Sequence, residues 1–220
     1  MAQVWKAEGP GSMNAPDEPG AGVPAGFRET VAALSAARPR SEVRLTPIPP
    51  PRRLAPYGYA LEASVAADPG PDGEELADGR FVLLHDPAGQ EGWQGSLRIV
   101  TLARAELEPE LGSDPLLPEV AWSWLGEALE GRGVEWAEPS GTVTLAASRS
   151  FGALADRVPR TEVELRASWS PGEAAELPAH LLAWCGLLAQ CAGLPPEATV
   201  PGVATLPRRR TPRRGDPHHR

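Results

Sequence analysis

Cysteine is nearly absent from this chain: Cys185 and Cys191 are the only two in 220 residues, which excludes a fold stapled by several disulfides. Both lie in one apolar segment. Their six-residue spacing turns them well apart on a helix, so the thiols are expected to be reduced core residues rather than a bridge. No CxxC, HExxH, phosphate loop or GxGxxG pattern occurs, and the common metal, redox and nucleotide sites lose their usual carriers. No metal and no cofactor is therefore expected. Apolar runs are short as well. None reaches the length of a bilayer span, and the opening MAQVWKAEGPGSMNAPDEPG has no apolar signal region, which favours the cytoplasm and no membrane. Met13 is an alternative start. Lysine occurs once, at Lys6, so the other basic residues are arginine; their abundance is read as background rather than as a set of requirements for bidentate donors.

What is present is proline and glycine, 26 and 23 residues, with 41% apolar and 23% charged residues, the composition of a globular domain with long irregular ends. The net charge of -8 is unevenly spread. Arg208, Arg209, Arg210, Arg213, Arg214 and Arg220 against Asp216 put +5 on the end of the chain and leave -13 on the remainder. Such an acidic body is a poor surface for specific nucleic acid, while the arginine-rich end suits acidic partners. The organisation expected is a disordered segment at 1–23, a single domain at 24–206 and a flexible Arg-rich tail at 207–220.

Within the domain, Phe27, Val31 and Leu34 recur at helical spacing over 25–38, and Pro39 ends that helix. A proline-bound extended segment follows, then a strand near 57–65. FVLLHD and SLRIVTLARAELE read as two strands of a hairpin across PAGQEGWQG. The segment around AWSWLGEALE reads as a helix, with Trp124 packing on a sheet and Trp122 at the edge, meeting another helix or subunit. WAEPSGTVTLAASRSF and RTEVELRASW have strand character, and in the second Val163, Leu165 and Ala167 share one side. LPAHLLAWCGLLAQCAGL, at 177–194, is apolar nearly all round and so is expected to be the central helix. The order predicts an α+β domain of two layers: a mainly antiparallel five-stranded sheet covered by three helices.

Catalytic candidates are sparse. His85 and Asp86 stand at a strand end with Glu91 in the next loop, but adjacent strand residues point to opposite faces, which works against a direct acid/base pair. His180 and Cys185 are five apart on a helix, and the serines at 148, 150, 168 and 170 lack a nucleophile elbow. The acids Glu106, Glu108, Glu110, Asp114 and Glu119 do not have the spacing of a calcium loop, and prolines interrupt them. Candidate protein contacts are Trp93 in a loop, Trp122 on the helix edge, and Arg52 and Arg53 in the proline-rich PPPRR stretch.

The phrases RLTPIPPPRRLAPYGYALEA, GWQGSLRIV, VAWSWLGEAL and SGTVTLAASRSFGAL resemble the actinobacterial family called domain of unknown function 3000, over roughly 25–203. The resemblance implies no activity, cofactor or catalytic residue. The residues themselves lead to a cytoplasmic, noncatalytic protein-binding or adaptor domain whose partner is another protein or a second copy. A small-molecule hydrolase or transferase around His85, Asp86 and Glu91, and a purely structural scaffold, are the alternatives.

Overall fold

The computed structural model describes residues 22–68, 73–107, 112 and 114–195. The Arg-rich tail, the first 21 residues and the acids Glu108 and Glu110 lie outside the described residues. The elements run α1 (Ala25–Ala36), β1 (Val43–Ile48), β2 (Tyr57–Ala66), β3 (Glu75–His85), β4 (Leu97–Leu107), α2 (Leu117–Glu130), β5 (Trp136–Ser148), β6 (Arg160–Pro171) and α3 (Leu177–Cys191). The strands form one sheet in the order β1-β2-β3-β4-β6-β5, with every neighbouring pair antiparallel. The α+β class and the three covering helices agree with the sequence; the strand number does not. The sheet has six strands rather than five. The extra one is β1, inside the segment expected to be merely extended, and it pairs with β2 from Val43↔Val65 to Ile48↔Ala60. It carries Pro47, which a strand tolerates at a sheet edge because one side of its backbone needs no ladder partner.

The helix-facing side of the sheet follows strict alternation. Leu61, Ala63 and Val65 of β2, Phe81 and Leu83 of β3, Ile99 and Ala103 of β4, and Val163, Leu165 and Trp169 of β6 are buried in one continuous core with all three helices. Helix α3 is its centre. Leu177, Leu181, Trp184, Leu187 and Leu188 are fully buried, and the helix touches α1, α2 and four strands, as its all-round apolar sequence requires. Its start fits Pro178 in the first turn. Its end is a Schellman turn: Gly193 takes φ +70°, and Leu194 N–H donates to the Ala189 carbonyl at 3.0 Å.

Two glycines let tryptophans approach the sheet. A Cβ on Gly79 in β3 would lie 2.7 Å from Trp184 Cζ2 and 2.5 Å from the Leu102 carbonyl oxygen, so Trp184 of α3 rests on bare backbone. In β5, a Cβ on Gly141 would meet Trp122 Cζ3 at 2.6 Å. Trp122 therefore lies over the edge strand of its own sheet, where the sequence had it meeting another helix or a subunit.

The thiols of Cys185 and Cys191 are both buried and unpaired with each other. Desolvation pushes Cys191 up to about 12, because the thiolate loses its hydration there. Native protein is accordingly expected to react with a disulfide reagent such as Ellman's only through unfolding: no thiol released in buffer over minutes, and two per chain in denaturant. Prompt reaction of either cysteine in buffer would contradict this packing.

Candidate functional site

The side of the sheet turned away from the helices is polar at one end and mixed at the other. One row across the six strands reads Ile48, Ala60, Val82, Val100, Ser168, Ser140, passing from apolar to hydroxyl. Its apolar half is closed by Leu54, Ala55 and Trp93, which pack on Ala60, Val82 and Leu84 as a small second cluster. The next row, Thr46, Glu62, Arg80, Leu102, Arg166, Thr142, begins a charged region. There Arg80 pairs with Glu62 at 3.5 Å, Arg104 with Asp78 and Glu164 at 3.7 Å, and Arg166 with Glu164 at 2.8 Å. These are solvent-facing pairs and add little stability individually, but each cation there has an acid.

Arg98 on the same side is different. Alternation along β4 puts Leu97 and Ile99 toward the helices and Arg98 away from them, yet Arg98 retains only 8% of its surface. Its Nη1 donates to Ser170 Oγ at 3.2 Å, and its Nη2 donates to Ser168 Oγ at 2.9 Å, to the Ser168 carbonyl at 3.4 Å and to Ser140 Oγ at 3.3 Å. All four acceptors are neutral. Burial lowers its pKa from the free-arginine value, opposed by the field of Glu138, and an arginine remains charged regardless. Glu138 itself is held elsewhere. It occupies φ +50° at the irregularity between Ala137 and Ser140 in the β5–β6 pairing, a bulge that aims the carboxylate at Gln94, whose Nε2 donates to it at 2.9 Å. Gln94 N–H in turn donates to Ser170 Oγ at 3.4 Å. An open cleft of about 450 Å³ adjoins this network, with Gln94, Trp136, Ala137, Ser170 and Pro171 in its lining.

The residues singled out in the sequence lie around this end of the sheet without converging. His85 faces the helices, its ring 5.4 Å from Phe27 and 5.8 Å from Tyr57, and its Nδ1–H donates to the Ser96 carbonyl at 3.1 Å. Asp86 spends its carboxylate on the hairpin turn, accepting from Ala88 N–H and from Gln90 Nε2, each at 3.1 Å. Glu91 is exposed on the β3–β4 loop and, with Trp93 and Gln90, lines a second open cleft of about 570 Å³. Trp93 is half-buried on the second apolar cluster, and Trp122 is half-buried over Gly141. Arg52 and Arg53 are exposed in a turn, Arg53 at φ +69°. Glu106 pairs with Arg160 at 3.7 Å, and Asp114 Oδ1 accepts from Leu116 N–H at 2.9 Å where α2 begins. Among the described residues no group of three His, Cys, Asp or Glu side chains could hold a metal, and no helix is long and apolar enough to cross a membrane.

Arg98, Ser140, Ser168, Ser170, Gln94 and Glu138 were not singled out as a set in the sequence. One signal was there: an arginine inside the alternating run LRIVTL whose side of the strand continues with Val100 and Leu102. Compared with known proteins, residues 23–203 match the family described as "Protein of unknown function (DUF3000)". No curated protein and no solved structure matches the chain.

Proposed function

From the premise that this chain belongs to the DUF3000 family, whose description carries no activity, we propose that it is a cytoplasmic, noncatalytic protein-binding domain that pairs through the free edge of β5, with a second copy as the partner. The inequality of the two sheet edges carries this reading. At one edge, β1 is short and contains Pro47 and an exposed Arg44, devices that discourage strand addition. At the other, β5 runs for 13 residues, exposed along most of its length, and beyond the bulge and Pro139 near its start SGTVTLAAS from 140 to 148 bears neither charge nor proline. Among the described residues only β6 pairs with it.

An unpaired strand edge offers a row of N–H and C=O groups, and an antiparallel copy satisfies both rows at once. A two-fold axis sets each strand against itself, which penalises any charge near the axis because it meets its own image. A charge-free run of nine residues, 140–148, on a chain of net charge -8 suits that symmetry. Phe151 and Val158, each 76% exposed in the connection that follows β5, supply apolar surface beside the edge. Two buried cysteines that form no disulfide with each other are in keeping with a reducing compartment. Of the sequence candidates only Trp122, over Gly141 of β5, adjoins this edge; Trp93, Arg52 and Arg53 lie toward the β1–β2–β3 side of the sheet and take no part in the proposal.

Light scattering on the full chain tests it. A dimer is expected, strengthening as salt rises because the acidic bodies repel less. Thr144→Lys should weaken it by roughly tenfold or more: the new ammonium lies beside Glu164 within its own sheet, since Thr144 is paired with Glu164, but faces like charge across the axis. A chain that stays monomeric at millimolar concentration, or a dimer indifferent to Thr144→Lys, would overturn the reading.

A further inference from the structure

The hydrogen-bond accounting around Arg98 leaves a surplus of donors. Ser170 Oγ accepts from both Arg98 Nη1 and Gln94 N–H, so both lone pairs are engaged and its own O–H has no acceptor among the described residues. Ser140 Oγ and Ser168 Oγ each accept from Arg98 Nη2 and lie 3.0 Å from one another. One of these two hydroxyls donates to the other, and the second keeps its hydrogen. Among the described residues the cluster thus holds a guanidinium with no ion-pair partner and two hydroxyl hydrogens without acceptors, beside a cleft that Ser170 helps to line. Burying a cation among neutral acceptors is costly, and the charged half of the same sheet side leaves none of its arginines in that condition.

We infer that this cluster is a binding site for a small oxyanion, a carboxylate or a phosphate, which takes the two free O–H donors and supplies the charge that Arg98 lacks. Its remaining surface would lie in the cleft against Trp136 and Pro171. Glu135 also lines the cleft; the carboxylate whose field reaches Arg98, and which such a ligand works against there, is that of Glu138. The bulge and Gln94 hold its carboxylate off the guanidinium, so its charge repels an incoming anion without occupying the anion's place. Removing that charge therefore strengthens binding, whereas removing a hydroxyl weakens it. A network serving only to hold β4, β5 and β6 together would show neither effect on an added ion. The inference is separate from the pairing of β5, and measurement on the Thr144→Lys chain keeps the two apart.

The test is titration of the ¹⁵N-labelled full chain with sodium benzoate, with inorganic phosphate and with neutral benzamide, at constant ionic strength, following the Gln94 amide and the Trp136 indole. Saturable shifts with benzoate, phosphate or both, and none with benzamide, are expected; which ion saturates tells the carboxylate from the phosphate. Ser170→Ala should weaken binding about tenfold, Ser140→Ala, at an exposed position, should weaken it in the same direction should the first variant fold poorly, and Glu138→Gln should tighten it severalfold. Absence of saturation with both ions, equal binding of benzamide, or weakening by Glu138→Gln would overturn the inference.

Discussion

Gly79→Ala is expected to destabilise the chain by about 3 kcal/mol and to lower the melting temperature by about 10 °C. Glycine's backbone freedom is not the reason, because Gly79 does not adopt a positive φ. The new methyl would stand 2.5 Å from the Leu102 carbonyl oxygen and 2.7 Å from Trp184 Cζ2, both far inside contact distance. The first neighbour is backbone of the adjoining strand β4. The second is a fully buried indole, packed 5.8 Å from the Phe81 ring and carried by the helix that the rest of the core surrounds. Neither can step aside alone, so the sheet must bend or α3 must lift.

Gly186→Ala on α3 is the matched control. It is exposed with nothing within 4 Å of the added carbon, so it should be neutral or stabilise by up to about 1 kcal/mol through helix propensity. Combining Gly79→Ala with Trp184→Leu should cost less than the two penalties added, since they share one contact. Urea unfolding of the four variants checks the set. Equal stabilities of Gly79→Ala and wild type would mean that Trp184 does not rest on β3.

Gly79 also shows why part of the fold was hard to read. The stretch DPGPDGEELADGR looks like an acidic turn, yet β3 begins at Glu75. Its first half alternates: Asp78 and Arg80 turn away from the core and find Arg104 and Glu62, while Ala77 and Gly79 turn inward, and the glycine is the position that Trp184 needs. Tertiary contact overrode composition. β1 was obscured in the same manner by Pro47, which marks an edge as readily as a break. Elements whose pattern is set by burial on one side were plain: β4, β6, the β3–β4 hairpin, and α3 with its all-round apolar surface. The contact of Trp122 with β5 was not legible because a helical projection fixes its angle but not the missing side chain at Gly141 that draws it to the sheet.

The Arg98 cluster was invisible for a different reason. Its members come from three strands at positions 98, 140, 168 and 170, and only the pairing register of β4, β6 and β5 brings them together. Arg98 was also one arginine among many, in a chain where arginine is the default cation. Individual serines in β6 were weighed as nucleophiles and found without a nucleophile elbow; their use as acceptors for a buried guanidinium needs three-dimensional placement to be seen.

His180 should make the fold sensitive to mild acid. Carried by the first turn of α3, its ring is fully buried, and Nδ1 accepts a hydrogen bond from Trp169 Nε1 at 3.2 Å, so the neutral form carries its proton on Nε2, which makes no hydrogen bond. Desolvation lowers its pKa from 6.5 to about 4; the Glu176 carboxylate and the Glu135 main chain oppose this but do not outweigh it. Between those two values the unfolded chain binds a proton that the folded chain refuses, so stability rises with pH across the window. The full contribution is present above about pH 6.5, about 2 kcal/mol of it is gone by pH 5, and about 3 kcal/mol by pH 4. Glu42, held down to about 2 by Arg40, acts in a lower window, below its ordinary 4.5, so the two losses are separable by pH. Urea midpoints measured from pH 7.5 to 4.5 should fall steeply in wild type. In His180→Asn, whose amide oxygen can still accept from Trp169 but cannot ionise, the chain starts less stable at pH 7.5 and most of the slope above pH 5 disappears. An unchanged slope in that variant would show that protonation of His180 is not what the fold resists.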